Sequence, residues 1–314
     1  LAVTPTTAEQ GRLPLENALR RGGQLPVAID EKGILIAIVQ RWRDDTTLKV
    51  RLLIQGTEIV AASIYAIFNQ SGGVGKTTLT QNIGYHLSQL GRKVLLVDDD
   101  PQGSLTVFMG LEPIELKKTL YDAVVREEDI AIIRNVSGMD LVPSNISLST
   151  AEMELVGAMM GELRLKQALE SITDDYDYIL IDCPPSLGIL SIMSLVAATH
   201  VLVPIQTEFK ALKGTELLLT TIVKTLKIAN KKLKIAGFIP TMYDGRTSQG
   251  ENSLKAIYEQ LSKVGKVFPT IPRTTDFANA SQKQLPLALY NPKHHAVSIL
   301  QEIAKTLDDA HGSK

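Results

Sequence analysis

The stretch FNQSGGVGKTTLT, Phe68 to Thr80, closes a run of apolar residues that begins at Ser63 and opens a run with helical spacing. Its glycines, Gly72, Gly73 and Gly75, let successive backbone N–H groups surround an anion at a helix N-terminus, where the helix dipole favours negative charge. Strand, glycine-rich turn and helix together form the context of a phosphate-binding loop, and Gly75-Lys76-Thr77 matches the end of the G-x-x-x-x-G-K-[ST] pattern. Gln70 stands where that pattern has its first glycine, so this is not the standard form. The loop predicts a nucleotide site in which Ser71, Gly72, Gly73, Val74, Gly75 and Thr78 line the phosphates. Lys76 reaches the β and γ phosphates, and the Thr77 hydroxyl ligates Mg²⁺.

From Ser63 onward, short β-branched runs alternate with helical stretches. Strands are predicted at 63–69, 93–98, 139–143, 176–183, 200–205 and 234–240, and helices at 77–90, 163–172, 187–198, 212–229 and 253–264. Near-continuous apolar strands separated by helices predict an α/β fold, a mostly parallel sheet covered on both faces, with ligands at the carboxyl ends of the strands. Two strands end there in carboxylates: LLVDDDPQGS supplies Asp98, Asp99 and Asp100, and YILIDCPPS supplies Asp182. Asp182 is placed to hold Mg²⁺ through water, and strand alternation turns Asp99 away from the face shared by Asp98 and Asp100.

The first 62 residues read as a small α+β extension: a short helix in PLENALRRGG and two strands in GILIAIVQRW and TLKVRLLIQG. Residues 63–314 form the nucleotide-binding domain on this reading. In a chain of 314 residues and net charge −1, affinity for nucleic acid has to come from a local patch. The single cysteine, Cys183, cannot supply a disulfide or a cysteine-held cluster, and the chain opens without a signal-peptide pattern, so the expected compartment is cytoplasmic. The uncharged run 183–207 is broken by Pro184, Pro185, Gly188 and Pro204, and reads as a buried helix and strand, not a membrane span.

The motifs GGVGKTT, VDDDPQG, LIDCPPSLG, VPIQTEFKALKG, TMYDGRT and IPRTTDFANA resemble the ParA/MinD group of deviant-Walker P-loop ATPases over roughly residues 63–306, and most closely its ParA branch. That resemblance implies an ATP-dependent sandwich homodimer that binds DNA without sequence preference on the nucleoid. Such proteins position plasmids, chromosomes or other cargo with an adaptor that stimulates slow hydrolysis. It assigns Asp100 to orienting the attacking water, with Asp98 beside it as a further catalytic carboxylate. The family's usual lysine before the double glycine, which crosses the dimer to the partner's phosphates, is Ser71 here. A lysine lacking at this position also resembles the McdA subgroup, which distributes carboxysomes. A trans cation of this kind is worth roughly 10³ to 10⁵ in rate. Either the site holds nucleotide without efficient turnover, or another cation replaces the lysine, with Lys213 first and Lys210 second in the segment QTEFKALKG.

No acidic residue lies between Glu216 and Asp244, while Lys224, Lys227, Lys231, Lys232 and Lys234 do. Lys224, Lys227 and Lys231 recur at helical spacing, and Arg246 and Arg273 follow; together they form the expected DNA-phosphate surface. A MinD-like membrane helix would need basic and bulky apolar faces, but EIAKTLDDAHGSK ends acidic and small, which predicts no membrane partner. A filament-forming ATPase and an ATP-dependent ligase of the same superfold stay open as alternatives.

Overall fold

The computed structural model describes residues 62–312 together with two short strands, Ala28–Ile29 and Leu35–Ala37. The chain divides into two compact units, 1–60 and 61–314. In the first, the two short strands pair antiparallel, Ala28 opposite Ala37. The predicted helix at 14–23 and the predicted strand at 47–56 lie outside the described residues.

The second unit is built on seven strands: β1 (Ser63–Ile67), β2 (Val94–Asp98), β3 (Ile133–Val136), β4 (Met139–Val142), β5 (Tyr178–Asp182), β6 (His200–Gln206) and β7 (Lys234–Thr241). Their order across the sheet is β3-β4-β2-β5-β1-β6-β7, all parallel except the edge strand β3. Helices join them: α1 (Lys76–Gln89), α2 (Ser104–Phe108), α3 (Leu120–Val124), α4 (Leu148–Gly157), α5 (Arg164–Glu170), α6 (Ile189–Ala197), α7 (Phe209–Ile228) and α8 (Ser248–Leu261). After β7 come α9 (Asp276–Gln282), α10 (Leu287–Tyr290) and α11 (His295–Gly312).

Side-chain alternation along each strand feeds two separate cores. Ala66, Leu95, Val97, Ile179 and Ile181 face the layer that contains α3 to α8. Ile67, Leu96, Tyr178 and Leu180 face α1, α2 and α11. The helix that carries the loop is fixed to this second face by Leu79, Ile83 and Leu87, a stripe at i, i+4 and i+8 whose burial contributes about 1.5–3 kcal/mol per side chain. The C-terminal helix α11 is amphipathic, but its apolar stripe, Leu300, Ile303, Ala304 and Leu307, is spent on the same core. Among the described residues no helix is long and apolar enough to cross a membrane.

The register brings the chemistry together. Asp182 at the end of β5 pairs with Ile67 at the end of β1 on one side and with Asp98 at the end of β2 on the other. The glycine-rich turn and both carboxylate turns therefore leave the sheet side by side.

Candidate nucleotide site

The loop leaves β1 through buried Phe68 and enters α1 at Lys76, and two of its glycines take left-handed backbone: Gly73 at φ 73° and Gly75 at φ 90°. A side chain there costs roughly 1–2 kcal/mol per residue. Gly72, Gly73 and Ser71 are exposed, Gly75, Thr77 and Thr78 are half-buried, and Val74 is buried. The loop is clamped from the ends of two neighbouring strands, β6 and β7. Asn69 accepts from the Ser71 N–H at 2.9 Å and donates to the Pro204 carbonyl at 2.7 Å. Gln206 donates to the Gly73 carbonyl at 2.9 Å, and the Thr241 hydroxyl donates to the Val74 carbonyl at 2.9 Å. The sequence reading missed these supports, although Gln206 and Thr241 each follow directly on a predicted strand at the same edge that singled out Asp98 and Asp182.

Lys76 is buried and its ammonium donates to the Ser71 carbonyl at 2.9 Å. Burial lowers its pKa, against the opposing pull of Asp182, Cys183 and Asp100. At position 71 the backbone is engaged at both N–H and C=O, and the short side chain is exposed.

The carboxylates divide into distinct environments. Asp182 is 1% exposed, and neither of its oxygens completes a hydrogen bond. The Thr77 hydroxyl approaches it closely enough to favour the charged form without closing a bond of standard geometry. Burial, and then the negative charge of Asp98, push the Asp182 pKa well up. A buried carboxylate with vacant lone pairs, beside a lysine and a threonine hydroxyl, is a donor set with room for a hard divalent cation. Thr77 and Asp182 therefore fit Mg²⁺.

Asp100 is half-buried; its side chain accepts from the Gln102 N–H at 2.9 Å, and its carbonyl accepts from the Ser144 hydroxyl at 2.8 Å. Asp99 turns to the opposite face, as alternation requires, where Ser194 Oγ donates to it at 2.5 Å. Asp98 differs from its expected catalytic role. It is sealed from solvent, accepting from the Thr106 N–H at 2.8 Å and hydroxyl at 2.7 Å and from the Asp100 N–H at 3.3 Å. It positions the Asp100 turn and does not face the loop's open side.

The basic residues do not form one surface. Helix α7 ends at Ile228, and just beyond it Asn230 donates to the carbonyls of Leu195, Val196 and Ala198 at the end of α6. Lys224 and Lys227 ride the exposed side of the helix, Lys231 and Lys232 occupy the turn beyond it, and Lys234 begins β7. These five gather towards the amino edge of the sheet. Arg246 and Arg273 lie past the other end of β7, roughly 23 Å away at about 3.3 Å per strand residue, and Arg246 is held in two bonds of 2.8 Å by Asp244. The side chains of Lys210 and Lys213 lie outside the described residues. The backbone next to them is placed: the Gly214 carbonyl accepts from Gln70 at 3.1 Å, which sets the start of α7 against the loop.

A glycine-rich turn feeding a helix, with a lysine, a threonine and an unpartnered aspartate around it at the carboxyl edge of a parallel sheet, defines a P-loop nucleotide-hydrolysing site. The family model described as an AAA domain matches residues 62–235. The sporulation initiation inhibitor protein Soj of Bacillus subtilis is 41% identical over 246 residues, 77% of this chain and 96% of its own. The chromosome partitioning protein ParA of Caulobacter vibrioides is 39% identical over 236 residues, 73% of this chain and 88% of its own. Among solved structures, a Cyanothece McdA variant in complex with ATP is 29% identical with a TM-score of 0.70, covering 79% of this chain and 97% of that one. Cobyrinic acid a,c-diamide synthase from Mycobacterium smegmatis with bound ADP and magnesium is 36% identical with a TM-score of 0.68, covering 78% and 94%. The chain belongs to the ParA/MinD family of P-loop ATPases. It is an ATPase, with ATP and Mg²⁺ as the nucleotide and metal for which its site is built.

Proposed function

We propose that the chain is a partitioning switch. With ATP bound, two copies join and hold DNA without reading its sequence; an adaptor protein stimulates slow hydrolysis and resets them. The cargo is a plasmid, a chromosome or a carboxysome, and the working location is the nucleoid. Residues 63–314 are the ATPase domain, and 1–62 are an appended element. The observation that carries this reading is the buried, unpartnered Asp182 beside Lys76 and Thr77, in a chain that matches Soj over 96% of the length of that protein.

In this mechanism the N–H groups of residues 72–78 hold the phosphates and Lys76 moves from the Ser71 carbonyl to a phosphate oxygen. Thr77 and Asp182 keep the metal, which when bound neutralises phosphate oxygens. Asp100 orients water from a turn stiffened by Asp98, Thr106 and Ser144. The charge missing at Ser71 comes from Lys213, or failing that Lys210, at the start of α7 beside the loop. DNA phosphates are met by Lys224, Lys227, Lys231, Lys232 and Lys234, with Arg246 and Arg273 as a separate, weaker contribution. Dimerisation doubles that charge, so ATP and DNA binding are linked.

One observation favours a second reading. Ser71 is short and uncharged, which suits a scaffold that holds nucleotide and does not turn it over. ATP hydrolysis by the wild type and by Lys213→Ala separates the two. Turnover that collapses in the variant supports the relocated charge, whereas ATP binding without turnover supports the scaffold. Turnover that requires a small acid substrate and ignores DNA would instead indicate a ligase.

A further inference from the structure

The amino edge of the sheet, at the opposite end of the strands from the nucleotide loop, holds a pocket of about 210 Å³. It lies the length of β1 away from the loop, roughly 16 Å at about 3.3 Å per strand residue, so the phosphates do not account for it. Tyr65 and His200, near the starts of β1 and β6, form its floor. Lys266 and Phe268 form one wall, and Ala310 and His311 of α11 belong to the other.

Both walls are fixed by bonds of their own. His311 is buried, and its Nδ1 shares a hydrogen bond of 2.8 Å with Ser63 Oγ at the head of β1. The same helix is tied down at Asp308, which accepts from the Tyr178 hydroxyl at 2.8 Å and from Arg92 at 2.8 and 3.1 Å. On the opposite wall the Phe238 N–H donates to the Lys266 carbonyl, and the Phe268 N–H to the Phe238 carbonyl, each at 2.8 Å. That segment lies so close on β7 that a Cβ on Gly237 would stand 2.5 Å from the Lys266 carbonyl oxygen. A pocket braced in this way is formed before its ligand arrives, as small-molecule sites usually are.

The lining selects an occupant by size, shape and charge. An apolar cavity of about 150 Å³ holds benzene, so this volume suits one aromatic ring with a short polar substituent. Three rings line it: Tyr65 and His200 stack with centroids 4.9 Å apart, and Phe268 is buried. Such rings favour a flat apolar body set against their faces and edges. The charge at the mouth is positive. The exposed Lys266 keeps its ammonium 5.2 Å from the centre of the Phe268 ring, and Lys234 pairs in register with His200, which sends its side chain out on the same face. His200 and His311 add two imidazoles, groups that a nearby anion tilts towards their charged form. The carboxylate on the helical wall, Asp308, is already engaged by Arg92 and Tyr178.

The geometry points to a second ligand site at the amino edge of the sheet, one that takes a small aromatic carboxylate, with its ring among Tyr65, His200 and Phe268 and its carboxylate towards Lys266. The site is separate from the nucleotide loop and does not depend on the switch proposed above. Phenylacetate is the probe, titrated into the full chain and followed by saturation-transfer NMR, with Mg-ADP present throughout to fill the nucleotide site. Phenethylamine, its cationic counterpart, is titrated in parallel. Phenylacetate should bind saturably, and phenethylamine at least about tenfold more weakly. Ala310→Phe, at an exposed position of α11, should fill the pocket and abolish binding. Lys266→Gln, also exposed, should weaken it about fivefold, whereas Lys255→Gln on α8 removes the same charge outside the pocket and should leave it unchanged. Equal binding by the wild type and Ala310→Phe would overturn the site, as would the absence of saturable binding to the wild type. Phenethylamine binding as tightly as phenylacetate, or an equal loss in Lys266→Gln and Lys255→Gln, would overturn the assignment of an anionic ligand.

Discussion

Asp98→Asn should change stability in a pH-dependent way whose form follows from the site. Burial raises the Asp98 pKa from 3.8 to about 7, only partly offset by its bonds to Thr106 and Asp100. A carboxylic acid whose folded pKa lies above its unfolded one stabilises the fold fully below the unfolded value. That contribution is lost as pH rises through the folded value. The loss is about 1.4 kcal/mol per pH unit between 3.8 and about 7, or about 4 kcal/mol in all. Asparagine keeps both Thr106 bonds through its amide oxygen and loses the longer bond from the Asp100 N–H, at about 1 kcal/mol. The variant should therefore be less stable than wild type by about 1 kcal/mol near pH 4 and more stable by about 3 kcal/mol at pH 8, with the gap widening steadily to pH 7 and flat beyond. His86 works in the opposite sense, since burial lowers its pKa to about 4 and its contribution is lost as pH falls from the usual 6.5. The difference between the two proteins removes that effect. Urea unfolding of nucleotide-free protein, followed by circular dichroism from pH 4 to 8, provides the measurement. A variant uniformly less stable at every pH would refute the argument that Asp98 is held neutral by burial.

Two further outcomes follow from the site and the surface. Asp182→Asn should bind nucleotide without a magnesium effect; at a ligand concentration of 100 Kd the wild type gains about 2.7 kcal/mol from Mg-ATP, and chelation should remove that gain in wild type only, read as a thermal shift. Replacing Lys224, Lys227 and Lys231 together by alanine should lower the slope of log affinity for DNA against log salt by about 2.7, because each phosphate contact contributes about 0.9; an unchanged slope would place the DNA surface elsewhere.

The central sheet was legible because burial on both faces makes its strands continuous apolar runs, and the glycine loop was legible because its glycines are required by backbone geometry. The edge strand β3 was not. Its sequence, IRNV, is only partly buried and lacks a clean apolar alternation, although the Ser137-Gly138 turn that returns it to β4, left-handed at both residues, carried a turn signal that went unused. Helix α4 was missed because its apolar residues point two ways, Leu148, Ala151 and Leu155 inward and Met153 and Val156 outward, which blurs the 3.6-residue stripe. The segment EIAKTLDDAHGSK was read only for its unfitness as a membrane helix, and its sequence did not show that Leu300, Ile303 and Leu307 would pack α11 against the sheet. Within the site, alternation separated Asp99 from Asp98 and Asp100 correctly. No pattern in the sequence could show that Thr106, eight residues on, would claim Asp98. The spacing of Lys224, Lys227 and Lys231 suggested one helical face, but the helix ends at Ile228, before the third of them, and Asn230 in the turn is tied to the end of α6.

The most direct test of the switch is DNA binding by the purified protein in ATP and in ADP at one fixed salt concentration. Binding that appears with ATP and is lost with ADP is the predicted result, since only the ATP form doubles the lysine surface. Equal binding in the two nucleotides would contradict it.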